Sequence, residues 1–152
     1  MEEYKIEILK ELTIRDAEKL SELYTELMPE TLQNPEKIYQ ISRQMLEKEG
    51  YFLICVRDQG QIIGTVLAIK CDTLAMNGKE FLILEDFVIK AAYRNLGIGR
   101  ELLKYTELLA EKENCWATML LSSGSRVDAH RFYQSNDFTD PVKGFRRISK
   151  GV

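Results

Sequence analysis

"LEDFVIKAAYRNLGIGRELL", residues 84–103, is the stretch that decides the fold of this chain. Its first half is an apolar run broken by the acidic pair Glu85 and Asp86, and it reads as a strand. Its second half sets Gly97 and Gly99 at the start of an amphipathic helix, predicted over about residues 97–113. Ile98, Leu102, Tyr105 and Leu109 share one face of that helix, and Arg100, Lys104, Glu107 and Glu111 the other. A strand that turns through glycines into a helix N-terminus presents unpaired amide N–H groups and the positive end of the helix dipole at one point. Bare backbone there lets a phosphate come close. Two familiar phosphate loops do not fit: Leu102 stands where GxGxxG needs its third glycine, and no GxxxxGK followed by Ser or Thr occurs.

The flanking segments supply the rest of a sheet. "YKIEILKEL" (4–12) alternates Ile6 and Ile8 with charge, as a half-buried strand does, and "TIRDAEKLSELYTELM" (13–28) changes to helical period with Asp16 as the N-cap. "NPEKIYQISRQMLEKEG" (34–50) is a second helix, with Asn34 as cap, Pro35 at its first position and Gly50 past its end. "YFLICVRD" (51–58) and "QIIGTVLAIKC" (61–71) are strands joined by a tight turn over Asp58 to Gln61. "CWATMLLSS" (115–123) reads as a short buried strand, "SRVDAHRFYQSN" (125–136) as a short helix and "GFRRISK" (144–150) as a last strand. The predicted order is β-α-α-β-β-β-α-β-α-β, an α+β or mixed α/β fold with a central sheet of about six to seven strands, in a single domain spanning residues 1–152.

Composition sets the functional bounds. With 152 residues, 45% of them hydrophobic, the chain can bury one core without disulfides or metals. A net charge of −3 and a pI near 5.4 argue against a nucleic-acid binder. The N-terminus lacks a basic stretch followed by an apolar one, and no run has the length to span a bilayer, so the reading is a cytoplasmic protein without a membrane partner. Cys55, Cys71 and Cys115 show no CxxC spacing, and His130 is the only histidine, which leaves no zinc site and no metal.

Arg94, Gly97 and Gly99 form the pattern [Q/R]xxGx[G/A] after a strand, and "AHRFYQSNDF" (129–138) follows at the separation of a second signature. On these two motifs, which cover roughly the second half of the sequence, the chain resembles the GNAT superfamily of N-acetyltransferases. The resemblance implies a single-domain GNAT fold with acetyl-CoA as co-substrate. It also implies direct attack of an amine on the acetyl thioester while both substrates are bound. Phe87, Val88 and Ile89 would offer strand backbone to the pantetheine arm, and Arg94, Leu96, Gly97, Ile98, Gly99 and Arg100 would take the pyrophosphate.

Glu85 matches a catalytic glutamate of the spermidine/spermine acetyltransferases and is the implied proton acceptor, with Asp86 its rival. Adjacent strand residues face opposite sides unless a bulge intervenes, so the two compete for one cleft. Tyr133 matches the tyrosine that serves as general acid. Arg126 stands where the family often has asparagine, and Asp137 where it has a glycine in a left-handed turn, which Asp tolerates. His130, Tyr93, Phe132 and Trp116 read as structural or core residues.

The acceptor implied is a primary amine of a small molecule, and the acidic run Glu22, Glu26, Glu30 and Glu36 could attract a cationic one. A protein N-terminus or lysine is the alternative acceptor, and a non-catalytic acyl-CoA sensor the alternative function. A homodimer, common in the family, is the implied assembly, with no stripe in the sequence to mark its interface.

Overall fold

Apolar alternation and β-branched residues build a five-stranded sheet in the order β1-β2-β3-β4-β5. The computed structural model describes residues 4–151, which divide into two compact units, one ending at Leu120 and one beginning at Leu121. The first unit holds β1 (Lys5–Ile8), α1 (Ile14–Leu27), α2 (Pro35–Leu46), β2 (Tyr51–Asp58), β3 (Gln61–Cys71), β4 (Phe81–Ile89), a single 3-10 turn (Ala91–Tyr93), α3 (Ile98–Lys112) and β5 (Thr118–Leu120). The second holds α4 (Val127–Gln134). No helix among the described residues is long and apolar enough to cross a membrane.

β1 to β4 are antiparallel in sequence and β5 is parallel to β4. The β2–β3 turn is the tight hairpin expected at Asp58 to Gln61, with Gln59 (φ 46°) and Gly60 (φ 80°) both left-handed as a two-residue type I′ turn requires. Cross-strand partners share a face, so the register sorts the core. Leu53, Cys55 and Val88 pack with Leu20 and Leu23 of α1, and α2 adds Ile38, Tyr39, Met45 and Leu46 to that layer. Ile54, Val66, Ala68 and Leu84 are buried on the opposite face, where α3 packs on β3 and β4 through its buried side, including Ile98, Leu102 and Leu109.

Arg57 ties the first unit together at one end. Its Nε donates to Glu7 (2.7 Å), and its Nη1 donates to Asp16 (2.8 Å) and to the Gly60 carbonyl (3.0 Å). Lys5 first and then the guanidinium hold the Glu7 carboxyl below its usual range, and at Asp16 burial pushes upward but the guanidinium and the Thr13 cap bring the carboxyl below its own.

Several expectations need correction. α1 is capped by Thr13, not Asp16. The Thr13 hydroxyl accepts from the Asp16 N–H while the Asp16 carboxylate accepts from the Thr13 N–H, a reciprocal pair that places Asp16 inside the first turn.

The sheet has five strands among the described residues, not six to seven, and the order ends on α4. Residues 144–149 take no regular structure, and Phe145 (86% exposed) and Ile148 (70%) stand in solvent. Those two are three positions apart, so a strand would turn them to opposite faces and leave neither face apolar. β5 is half-exposed and only three residues long. Trp116, expected in the core, is 42% exposed, because it precedes β5 at the sheet's edge and is held by its N–H to the Glu80 carbonyl.

Candidate active site

The acidic pair in β4 sits on a β-bulge. Glu85 pairs with Leu67 and Val88 with Thr65, so β4 takes three steps where β3 takes two. Asp86 absorbs the extra residue with φ 54°, a left-handed conformation that Asp adopts more readily than most side chains. Glu85 thereby keeps register with Leu67 and Leu53, on the sheet face covered by α1 and α2.

Asp86 is an exposed residue, yet neighbouring atoms remove water from its carboxyl group and push its pKa up. Its charge also reaches Tyr24 of α1, whose phenol is held far above the usual tyrosine range, first by burial and then by Asp86. The sequence reading did not anticipate Tyr24; the residue's place on the apolar stripe of α1 disguised it as core. Cys55 beside it is no nucleophile, since burial pushes its thiol up to about 12.

Pairing between β4 and β5 covers Leu82 to Leu84 against Thr118 to Leu120 and then stops. From Glu85 to Ile89, β4 therefore runs on past the end of its parallel neighbour. Val88 and Ile89 bury their side chains and Phe87 half-buries its ring, so what this segment can offer a ligand is peptide backbone. The Ile89 carbonyl is already engaged by Arg94 Nε at 2.9 Å.

The glycine turn has the geometry of an anion cradle. α1 and α2 begin from extended caps, Thr13 and Asn34, whose side chains accept first-turn N–H groups. α3 begins from Gly97 at φ 84°, ψ −6°, with no side-chain cap. Glu101 N–H is bonded to the Gly97 carbonyl (3.1 Å), and the amides ahead of it have no carbonyl within the helix to accept them. A Cβ on Gly97 would meet no other part of the protein within 4 Å, so the space beside Gly97 is open. Asn95 (φ 62°) is left-handed as well, two positions before the helix cap. Leu96 is exposed, Gly99 lies in the first turn, Ile98 buries its side chain and leaves only its amide for a ligand, and Arg100 is exposed. Arg94, expected to add charge, spends its guanidinium on the Ile89 carbonyl and on Glu26 (3.0 Å).

In the second unit, Tyr133 lies on α4 and is buried, with ring centroids at 5.4 Å from Phe132 and 5.8 Å from Phe138. Burial raises its phenol pKa against the pull of the nearby Arg126 cation, so the hydroxyl keeps its proton through neutral pH. His130 Nε2 donates to the Ser123 carbonyl (2.8 Å), a structural bond near the start of α4. Asp137 takes φ 70°, the left-handed turn anticipated for that position.

Residues 17–138 match the family model described as Acetyltransferase (GNAT) family. The uncharacterised N-acetyltransferase YhdJ of Bacillus subtilis (strain 168) is 34% identical over 117 residues, 75% of each chain. In fold, the chain is similar to a putative acetyltransferase from Agrobacterium tumefaciens str. C58, with a TM-score of 0.86 at 23% identity over 95% of this chain and 99% of that one. It is also similar to glucosamine-6-phosphate N-acetyltransferase from Arabidopsis thaliana, with a TM-score of 0.81 at 17% identity over 97% and 99%.

Proposed function

The chain belongs to the GNAT acetyltransferase family and is an N-acetyltransferase; from that premise we propose that it acetylates a primary amine of a small molecule, with acetyl-CoA as co-substrate. The observation that carries the reading is the uncapped, left-handed start of α3 at Gly97, which follows, one 3-10 turn on, the strand whose parallel pairing stops at Leu84.

First-turn amides that lack a side-chain cap and an acceptor within the helix, open space beside Gly97 and a helix dipole fit a pyrophosphate. The amides from Leu96 to Arg100 would hold it, and the backbone of Phe87 to Ile89 would run beside the pantetheine arm. When bound, acetyl-CoA supplies the activated acetyl group. The protein's own tasks are to orient, to take a proton and to give one. An amine acceptor is an ammonium at neutral pH and must lose a proton before it can act as a nucleophile. Glu85, on the α1/α2 face, is the proposed proton acceptor, with Asp86 beside it on the bulge. Tyr133 Oη, kept protonated by burial, is the proposed proton donor.

Acetyl-CoA-dependent release of free thiol across polyamines, amino acids, aminoglycosides and short peptides tests the reading. Turnover with a small amine supports it. Turnover confined to peptides assigns the protein to N-terminal or lysine acetylation, and thermal stabilisation by acetyl-CoA with no turnover assigns it to sensing.

A further inference from the structure

The segment that carries β4 into the phosphate turn is pinned at each residue but one. Lys90 N–H donates to the Ile63 carbonyl (2.8 Å), Ala91 N–H to Glu26 Oε2 (2.8 Å) and the Tyr93 hydroxyl to Asp58 Oδ2 (2.7 Å). Arg94 closes the segment with Nε on the Ile89 carbonyl and Nη2 on the same Glu26 Oε2. Glu26 is the anchor that lies on α1, in its last turn, and one of its oxygens holds both ends of the 3-10 turn. Glu22, one helical turn earlier, faces Lys90 at 4.0 Å, so the two carboxylates follow the segment as two rungs. The acidic run from Glu22 to Glu36 that suggested steering of a cationic acceptor is thus committed, at its two members on α1, Glu22 and Glu26, to cations of the protein itself.

We propose that Glu26 is a positioning residue for the phosphate turn: by gripping Ala91 N–H and Arg94 together, it sets the path on which the amides of Leu96 to Arg100 converge. The inference rests on the reading of that turn as the pyrophosphate site of acetyl-CoA. Two charge-assisted bonds to one oxygen fix a short segment better than an exposed ion pair does, because the amide donor has no rotamer freedom to lose. The donors then meet the phosphates already ordered, and ligand binding is spared that cost. Glu26 also belongs to α1, which packs on the sheet face that carries Glu85, so one carboxylate joins the cofactor turn to the helix layer on the side where the acceptor is proposed to bind.

The test compares wild type, Glu26→Ala and Glu26→Gln by calorimetric titration with coenzyme A and by hydrogen exchange of the ligand-free proteins. Glu26→Ala is expected to weaken coenzyme A by about tenfold, as loss of about 1.4 kcal/mol of preorganisation would. It should also speed exchange at the amides of residues 96–101 while leaving β2 and β3 unchanged. Glu26→Gln, which keeps an oxygen for both donors, should recover most of the affinity, and this rescue is what a purely structural role for the charge would not produce. Unchanged or tighter binding by Glu26→Ala overturns the proposal and marks Glu26 as a restraint on Arg94. Should Glu26→Ala fail to fold, Glu26→Asp, whose oxygen is drawn back by one methylene, takes its place beside Glu26→Gln: faster exchange at residues 96–101 and weaker coenzyme A in Glu26→Asp alone support the role, and near-wild-type behaviour of both variants refutes it. If wild type itself ignores coenzyme A, the functional reading falls, and the exchange rates of the turn still decide whether Glu26 orders it.

Discussion

Replacing Gly97 separates what the backbone needs from what the ligand needs. In the free protein an alanine methyl would touch nothing within 4 Å, so the cost of Gly97→Ala is conformational. Holding a non-glycine residue at φ 84° costs about 1–2 kcal/mol. At about 2–4 °C per kcal/mol for a chain of this length, the midpoint falls by about 2–8 °C. The ligand effect should be larger. A methyl there would narrow the approach of a pyrophosphate to the first-turn amides, and losing one charge-assisted hydrogen bond costs about 1.5–3 kcal/mol, a factor of about 10–150 in affinity. Gly97→Asn is the control, since Asn tolerates the left-handed region and is a favoured cap. It should restore the melting temperature without restoring affinity, because its side chain would itself take the donors. Thermal melts and calorimetric titration with coenzyme A read both quantities. If both variants bind coenzyme A within twofold of wild type, this turn is a helix cap and no more.

Tyr133→Phe keeps the ring contacts with Phe132 and Phe138 and removes the proton, so single-turnover acetyl transfer should fall by about 10²-fold with coenzyme A affinity unchanged; an unchanged rate removes Tyr133 from the chemistry. Burial raises the Asp86 carboxyl, so its contribution to stability is complete below the unfolded pKa and is lost as pH rises through the folded one. Asp86→Asn, which suits φ 54°, should therefore raise the melting temperature at neutral pH and lose that advantage in acid; a gain independent of pH would contradict the desolvation account. At Glu7 and Asp16 the sign is opposite, because their lowered pKa values give stability that is present above the unfolded pKa and disappears as pH falls through the folded one. Arg57→Ala should thus cost about 2 kcal/mol at neutral pH, with the gap from wild type narrowing in acid, as urea melts at several pH values would read.

How far the sequence could be read depended on the range over which each feature is determined. Asn34 with Pro35, the Gln59–Gly60 turn and the glycines at the start of α3 act through their own backbones, and each stands where local chemistry puts it. The bulge at Asp86 is a matter of register between two strands, and nothing in "LEDFV" counts the residues of β3 opposite it. Glu26 and Arg94 lie 68 positions apart, and a glutamate on a solvated helix looks the same whether it steers a ligand or clamps a loop. The last strand failed for want of a partner, a tertiary fact, although the spacing of Phe145 and Ile148 already spoke against it. Glu85 was visible as an acid in an apolar strand; its face was not, because the bulge decides the face.

The bare start of α3 also bears on how long the protein lasts. A helix whose first amides lack acceptors is incomplete as a folded object, and a bound anion completes it. The native state then gains RT ln(1 + [L]/Kd), about 2.7 kcal/mol at a hundredfold excess of ligand over Kd, and a gain of that size alters exposure to proteases severalfold. On the reading proposed above that anion is the co-substrate, and the abundance of the enzyme would be coupled to the acetyl-CoA supply, so that starvation for the acetyl donor would thin the catalyst along with the reactant.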